Sequence, residues 1–596
     1  MFHKVFIALT KEDLNLAIKK ATKNDFILSD LHFSIKEGQH IDARFKDISD
    51  ESLIPQVTEW FHRLKVSNEI SFGYVNRFYQ SSILPIAGFF SGIDEIISKL
   101  GQDKVIFNLP VSFTNKKFTS TYYMAESESI GVHFYNRHDS LLPYIKKYLE
   151  NKNYKFISEN KKISFQQSIF NPIRLWGIYF VMFLKNVRLS FKTITYQGKT
   201  WGGNYDKVFI IRSVGQAITI IPYLLLTNEK ILIVIGSTYT DNTASVILKS
   251  KLRNKKNILI VQSLKPPLAL VLKIYFHAII KLIRRKNYIF RYKEVNLNML
   301  QSLGEMIVMN ASLSLYKFQV SNVLKKNKTA FIFSFEQKSP HAFIDSEISK
   351  SLNTPCAQIQ FVQQSFNDIP NPVCADFFLC ETPQIKQKFE KCFTKGNEKL
   401  KYVGSFSGIN EDLKKTSEIK SSKLKICIFT GTDYDLNSNF LISFSKHFTD
   451  SNNKVVVKLH PRDSKNYYSI YSEAIYKRTY PDSFRDFVSD FDLAITFPSG
   501  VISDLFYAEI PFFVYAPPHQ KYQKIGIDFL PPDIETFLDL DSLFKKLKTP
   551  LVDLKKRHQA IIRSFKKDSE IITDFELIQK NLNNLILEKL NFEKTL

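Results

Sequence analysis

Short apolar runs rich in β-branched residues, each followed by a polar turn and a helix-length segment, recur along most of this 596-residue chain. They constrain the fold more than any other feature. Runs of four or five such residues are too short for helices and read as strands buried on both faces, the signature of parallel sheets. Between 207 and 405 they fall at 208–211, 231–235, 258–261, 330–333, 357–361, 377–379 and 402–403, and a second series falls at 426–429, 455–457, 493–495 and 512–515. Regular strand–helix alternation predicts doubly wound sheets. The expected fold is α/β, with two doubly wound Rossmann-type domains and an extra N-terminal α/β region whose strands lie near 4–9, 26–29 and 104–109. The expected organisation is an N-terminal region at 1–160 of unassigned role, an apolar and basic helical connector at 161–205, Rossmann-like domains at 206–415 and 416–550, and closing helices at 551–596. Within it, 405–422 reads as a polar linker, and helices are expected near 51–66 and 83–100.

The chain carries 82 Lys and Arg against 58 Asp and Glu, a formal net charge of +24. That balance favours an anionic partner: a nucleotide, an acidic glycan, a membrane surface or nucleic acid. Nucleic acid is the least favoured, because the basic residues are spread along the chain and no recognition module is present. Five cysteines without a CxxC pair support neither a disulfide framework nor a zinc site, and a reducing cytoplasm fits them. The first apolar run, MFHKVFIAL, is closed by charges at once and reads as a strand rather than a signal peptide. Trp60 and its neighbours in EWFH read as packing residues.

The polar turns of the second series hold the chemistry. The run at 455–457 leads into Lys458, His460 and Pro461; the run at 493–495 leads into Thr496, Pro498, Ser499 and Gly500. A helix at 501–510 and a strand from Phe512 follow. In open α/β sheets ligands bind beyond the carboxyl ends of the strands, where helix N-termini offer N–H groups to anions. Gly431 and Thr432 end the first strand of this half and join the candidate donor site, while Asp433-Tyr434-Asp435 reads as a helix cap with first-turn acids rather than as a metal site.

The ordered set KLHP, an acidic helix at 483–490, FDLAITFPSGVISDLFYAEIP and the strand FFVY resembles the C-terminal domain of bacterial surface-polysaccharide transferases of the GT-B fold. That group comprises capsule sialyl- and polysialyltransferases, Kdo transferases and the CDP-glycerol glycerophosphotransferases of teichoic acids. The resemblance spans the two C-terminal domains and hardly touches residues 1–160. It implies two domains facing a cleft, with the donor's nucleotide phosphate held by His460-Pro461 and Ser499. Gly500 stands where many members have a second Ser, leaving one hydroxyl fewer. Asp504 stands where relatives often carry a Glu that reaches the ribose. In IQFVQQSFNDIPNP, Gln363-Gln364-Ser365 occupies the place of a Gln-His-Gly turn, so no catalytic His is expected there. The implied activity is inverting, metal-independent and cofactor-free glycosyl transfer from a nucleotide sugar, with CMP-nonulosonate or Kdo first and CDP-alditol or UDP-sugar second, to a glycan or lipid-linked acceptor of a capsule or lipopolysaccharide. A His, a hydroxyl and helix N–H groups suit the charge that develops on the departing phosphate.

On the acceptor side, inverting transfer needs a base. Glu336, after the strand AFIFSF, comes first, with His341 and Asp345 behind it. The turn after the strand at 208–211 places Ser213 and Gly215 beside that site, although a full G-x-G-x-x-G is lacking. Two stretches, 168–196 and 268–293, alternate apolar aromatics with Lys and Arg as interfacial helices do, and Lys281, Arg284, Arg285 and Lys286 are the expected contacts with an anionic membrane surface. The expected location is therefore cytoplasmic and peripheral, at the inner face of the membrane. A nucleotide-sugar 2-epimerase of similar fold and a non-enzymatic membrane- or nucleic-acid-binding protein are the alternatives.

Overall fold

The computed structural model of the chain describes residues 2–9, 11–29, 39–43, 53, 56–57, 59–60, 83–110, 137–158, 165–191, 195–197, 203–236, 242–262, 266–283, 289–298, 300–335, 340–360, 374–392, 396–409, 425–431, 434–447, 454–460, 466–477, 484–517, 531, 533–548 and 551–595. An N-terminal sheet holds β1 His3–Ala8, β2 Phe26–Ser29, β3 Gln39–Asp42, β4 Val105–Asn108 and β5 Phe156–Ile157, in the order β3-β2-β1-β4-β5. The chain then forms β6 Thr195–Gln197, β7 Gly203–Ile211, β8 Ile231–Ile235, β9 Ile258–Gln262, a hairpin of β10 Ile289–Tyr292 and β11 Val295–Asn298, β12 Asn327–Phe335, β13 Cys356–Ile359, β14 Phe377–Leu379 and β15 Leu400–Lys401. Without the hairpin these strands make a middle sheet, β15-β14-β13-β12-β7-β8-β9-β6, parallel except where β6 runs against β9. The C-terminal sheet is β18-β17-β16-β19-β20-β21, built from β16 Lys425–Phe429, β17 Lys454–Lys458, β18 Ile475–Lys477, β19 Leu493–Thr496, β20 Phe512–Tyr515 and β21 Thr536–Phe537.

Counted from β1, β7 and β16, all three sheets share the order 3-2-1-4-5, the doubly wound Rossmann arrangement. The fold is thus α/β, with two Rossmann-type domains and a further N-terminal α/β region. Its strands are buried as continuous apolar runs, as in ILIVI of β8, because helices cover both faces. Two expectations shift. The last strand of the middle sheet forms at Leu400–Lys401, two residues before 402–403. The polar linker expected from 405 opens instead with Ser405, Phe406 and Ile409, all buried, while 410–422 lie outside the described residues. Most of the helix expected at 51–66 also lies outside them, whereas Leu84–Leu100 is helical.

The hairpin β10–β11 clamps the N-terminal region to the middle domain. Trp60 stacks edge-to-face on Phe290 (5.4 Å between centroids) and its indole N–H donates to the Ile289 carbonyl at 2.8 Å, while Tyr292 stacks on Phe90 at 5.9 Å. At the tip Lys293 pairs with Asp94 at 2.7 Å, and Asn151 donates to the Glu294 carbonyl at 3.0 Å. The two-residue turn has φ of +44° at Lys293 and +67° at Glu294. Both angles belong to the mirror-image turn that matches strand twist and normally uses Asn-Gly. Two side chains with Cβ atoms are held in this conformation by the clamp.

The chain also returns on itself. Helix Leu551–Asp568 lies on the C-terminal sheet, where its His558 ring meets Phe513 at 5.6 Å. The chain then crosses to the middle domain. There the Ile572 N–H donates to the Tyr402 hydroxyl at 2.7 Å and the Ser405 N–H to the Ile572 carbonyl at 2.9 Å. The final helix Phe575–Thr595 buries Ile578, Leu582, Leu585 and Ile586 in one core cluster with Phe209, Ile211 and Tyr223. Gly404 sits at φ +126°, and a Cβ there would run into Ile578, so this crossing requires glycine.

Replacing Glu294 by Gly removes the conformational strain and only an exposed ion pair to Lys152. Glu294→Gly is therefore expected to raise unfolding stability by about 0.5–1 kcal/mol. Denaturant unfolding checks it, and a loss of stability would show that the turn is not strained.

Candidate functional site

In the C-terminal sheet the chain order reverses between β16 and β19, which opens a crevice at the carboxyl ends of the strands. Three adjacent strands, β17, β16 and β19, deliver the expected residues to that edge. Beyond β17, the His460 N–H donates to Thr430 Oγ1 at 2.9 Å, and the Thr430 N–H donates back to the Lys458 carbonyl at 3.1 Å. The two strand ends are thereby laced together with the His460 side chain half-buried at the rim. Lys458 is buried, its ammonium donating to the Leu459 carbonyl at 2.9 Å; desolvation lowers its pKa, opposed by the neighbouring Cys427 thiol.

Beyond β16, Gly431 is gripped at both backbone groups by one amide. Its N–H donates to Asn437 Oδ1 at 3.0 Å and its carbonyl accepts from Asn437 Nδ2 at 3.0 Å, while the same amide reaches the Tyr467 hydroxyl at 3.0 Å. A side chain at Gly431 would meet Phe497 Cβ at 3.9 Å, so the turns after β16 and β19 touch. Beyond β19, Thr496 Oγ1 donates to the Phe497 carbonyl at 2.8 Å and lies 3.4 Å from Ser499 Oγ. Gly500 is exposed, with φ −61°, and a methyl group on it would meet nothing within 4 Å, so packing does not demand glycine there. Asp504 is half-buried on the short helix Val501–Tyr507 and raises the pKa of Glu381 across the domain junction, which places it toward the middle domain. Pro461 and Thr432 lie outside the described residues.

The middle sheet reverses between β7 and β12, and an arginine closes that point. Arg212, just past β7, is buried; its guanidinium donates to the Phe335 carbonyl at 2.6 Å and pairs with Asp345. Asp345 is fully buried and also accepts from Ser334 Oγ and, at 2.6 Å, from the Tyr316 hydroxyl. Of the three expected base candidates, Asp345 thus has both oxygens engaged, one by Arg212 and Ser334 and the other by Tyr316. His341 is half-buried one turn earlier, its ring edge-on to Tyr316 at 4.8 Å, and Glu336 lies outside the described residues. Ser213 uses its hydroxyl to cap helix Val214–Leu226, accepting from the Gln216 N–H at 3.4 Å, and the Gly215 carbonyl accepts from Thr219 at 3.0 Å. The turn at 363–365 is also outside the described residues.

Two buried charged groups escape a reading of the sequence. Arg212 looks there like one residue of a turn. Glu381, two residues past β14, is buried; it accepts from Ser405 Oγ at 2.5 Å, and burial pushes its pKa up to about 7. The one signal for it is an acid close after a buried strand.

A separate surface lies on helices Phe165–Ser190 and Leu268–Ile283. They pack through Tyr179, whose hydroxyl donates to the Tyr275 carbonyl at 3.1 Å, and through Asn186, which donates to the Tyr275 hydroxyl at 2.8 Å and to Ser312 at 3.1 Å. Their outward faces remain apolar: Phe180, Val181 and Leu184 on one, Leu272, Phe276 and Ile283 on the other, with Ile283 66% exposed. Neither helix contains an Asp or Glu, and Arg188 and Lys273 lie along them. The Lys281 side chain and all of Arg284, Arg285 and Lys286 lie outside the described residues. No helix among the described residues is long and apolar enough to cross a membrane.

No protein-family model and no curated protein matches the chain. Among solved structures, similarity extends to the wall teichoic acid polymerase TagF (12% identity, 73% of this chain and 100% of that one, TM-score 0.36). It extends also to Anabaena HepE in complex with UDP (10% identity, 64% and 100%, TM-score 0.40). A third is the UDP-GlcNAc 2-epimerase of Methanocaldococcus jannaschii in complex with UDP-GlcNAc and UDP (12% identity, 61% and 99%, TM-score 0.35). The strand orders themselves carry the fold.

Removing Asp345 leaves the Arg212 charge buried against Ser334 and Tyr316. Asp345→Ala is expected to cost about 3–5 kcal/mol, and the double change Arg212→Met with Asp345→Leu to recover most of it. Denaturant unfolding of both variants checks this; a cost below about 1 kcal/mol would mean that the pair is hydrated rather than buried.

Proposed function

We propose that the chain is a glycosyltransferase that holds a nucleotide-activated donor at the carboxyl ends of β16, β17 and β19 and passes its sugar to an acceptor on the middle domain. The observation that carries this reading is the lacing of His460 to Thr430 beside the Ser499 turn, at the reversal of strand order. In that place the His460 side chain and the Ser499 hydroxyl can meet the charge on a departing nucleotide phosphate without a metal ion. Gly431 and Thr432 complete the donor edge, Lys458 backs it as a buried cation, and Asp504, turned toward the middle domain, borders the cleft on the ribose side. A CMP-nonulosonate or Kdo is the favoured donor, with CDP-alditols and UDP-sugars next; the product is a strand of capsule or lipopolysaccharide. Glu336 or His341, on the segment that follows β12, takes the acceptor proton with inversion, while Asp345 and Arg212 keep that corner rigid and Ser213 and Gly215 border it.

His460→Ala is expected to reduce transfer by about 100-fold or more and to shift the melting temperature by no more than about 2 °C. A thermal-shift series with CMP, CDP, UDP and GDP identifies the nucleotide, since a ligand of the native state raises stability by mass action. Turnover should persist in EDTA. Full activity of His460→Ala would remove this residue from the site.

The acceptor is presented at a lipid surface. Two neighbouring helices with apolar outward faces, no acid and flanking cations suit the boundary of an anionic bilayer, where the apolar side chains enter the acyl region and the cations meet headgroups. Phe180→Ser with Phe276→Ser should abolish co-sedimentation with vesicles containing phosphatidylglycerol while leaving the melting temperature near that of the parent. Unchanged sedimentation, or a change of oligomeric state instead, would assign the face to another partner.

A further inference from the structure

The junction between the middle and C-terminal domains is built around one carboxyl group. Glu381 projects from the end of β14, where its N–H donates to Gln360 Oε1 at 3.0 Å. Its carboxylate receives Ser405 Oγ at 2.5 Å, and Ser407 and the Tyr507 hydroxyl face the same group. Ser405 in turn accepts from the Gly408 N–H at 2.9 Å, and its own N–H donates to the Ile572 carbonyl. Three separate pieces of chain therefore meet on this side chain, the end of β14, the outgoing crossing at 402–408 and helix Val501–Tyr507, and the returning crossing near 572 joins them through the Ser405 backbone. Space is tight, because a side chain at Gly408 would lie 2.6 Å from Thr573 and 2.9 Å from the Tyr507 ring.

That helix begins directly after Ser499 and Gly500 and ends on Tyr507, fully enclosed at the junction. Seven residues span only about 10 Å, so the helix is a short rigid link between the donor turn and the carboxyl. We propose that Glu381 is a positioning residue: through Ser405 and Tyr507 it fixes helix Val501–Tyr507, and hence the turn at 497–500, against the middle domain. This rests on the donor site assigned above, and it adds a control by proton uptake.

The groups that face the carboxyl can be named from each element. Cys380 lies on its own strand end, Tyr402, Ser405 and Ser407 on the outgoing crossing, and Asp504 and Tyr507 on the helix. Lys566 of Leu551–Asp568 lies over the Tyr507 ring at 5.8 Å and is paired with Glu509 at 3.2 Å. The neighbours named are thus hydroxyls, one thiol and one acid, and Lys566, the cation over Tyr507, is matched by Glu509. Ionised, the carboxylate needs its hydroxyl neighbours as donors and draws helix and crossing together; protonated, it demands fewer of them. Because the folded chain holds this proton more tightly than the unfolded one, stability from Glu381 is present below about pH 4.5 and is lost as pH rises toward about 7.

The test compares the full chain with Glu381→Gln and Tyr507→Phe. Glu381→Gln should melt several degrees above the parent at pH 8, with the gap closing toward pH 5. The parent's affinity for whichever of CMP, CDP or UDP it binds should change several-fold between pH 6 and 8, and that of Glu381→Gln should not. Tyr507→Phe should speed amide hydrogen exchange in the peptide 497–510 several-fold without a comparable change in β8. Parallel melting curves for parent and Glu381→Gln, or unchanged exchange at 497–510 in Tyr507→Phe, would overturn the proposal. Should none of the nucleotides bind, the donor reading fails by itself, and the melting and exchange measurements still decide the role of Glu381.

Discussion

Parallel strands have no face to leave in water, and the rest of this structure follows from that constraint. Each sheet must be covered on both sides, so each strand is followed by a segment that crosses over and packs, and three successive regions arrive at the same winding order. The order has a reversal, and the reversal opens a crevice at the carboxyl edge. In the C-terminal sheet that crevice is rimmed by His460, Thr430, Gly431 and Ser499. In the middle sheet it is closed by Arg212 and Asp345. One architecture thus yields one edge with polar groups at the rim and another sealed by a buried ion pair.

Small, dense contacts join the regions alongside a buried apolar cluster that runs through all three. The hairpin tip at Lys293 and Glu294 reaches Asp94 and Asn151 of the N-terminal region. The two crossings near Gly404 and Ile572 run so close that a methyl group does not fit. Contacts of this density resist gradual deformation, because packed side chains leave no room for it.

Much of the architecture is legible in the sequence. The runs ILIVI, KVVVK and FFVY announce buried strands by composition and length, and the polar turns near 460 and 499 mark the carboxyl edge of the C-terminal sheet. What is illegible depends on meetings between distant residues. Asp345 reads as a candidate base because it follows a strand by a few helical turns at most, yet its partner Arg212 lies 133 positions earlier. Glu381 reads as an ordinary acid at a strand end; what encloses it comes from 405, 407 and 507. The hairpin escapes notice because Lys-Glu carries none of the Asn-Gly signature that marks such a turn. Short edge strands such as Phe156–Ile157 and Thr536–Phe537 are too brief to show a period at all.

The return of the last helix to the middle sheet also sets an order of events during synthesis. Ile578, Leu582, Leu585 and Ile586 complete a core whose other members, from Phe209 to Ile409, are made far earlier. Until the ribosome has passed residue 586, the part of that face not covered by helices Val214–Leu226 and Asn242–Lys251 lacks its cover. The middle domain is first to be translated of the two and last to be finished. A nascent chain in that interval exposes the apolar patch that Ile578, Leu582, Leu585 and Ile586 later bury, the kind of surface that chaperones bind and that drives misassembly when they do not.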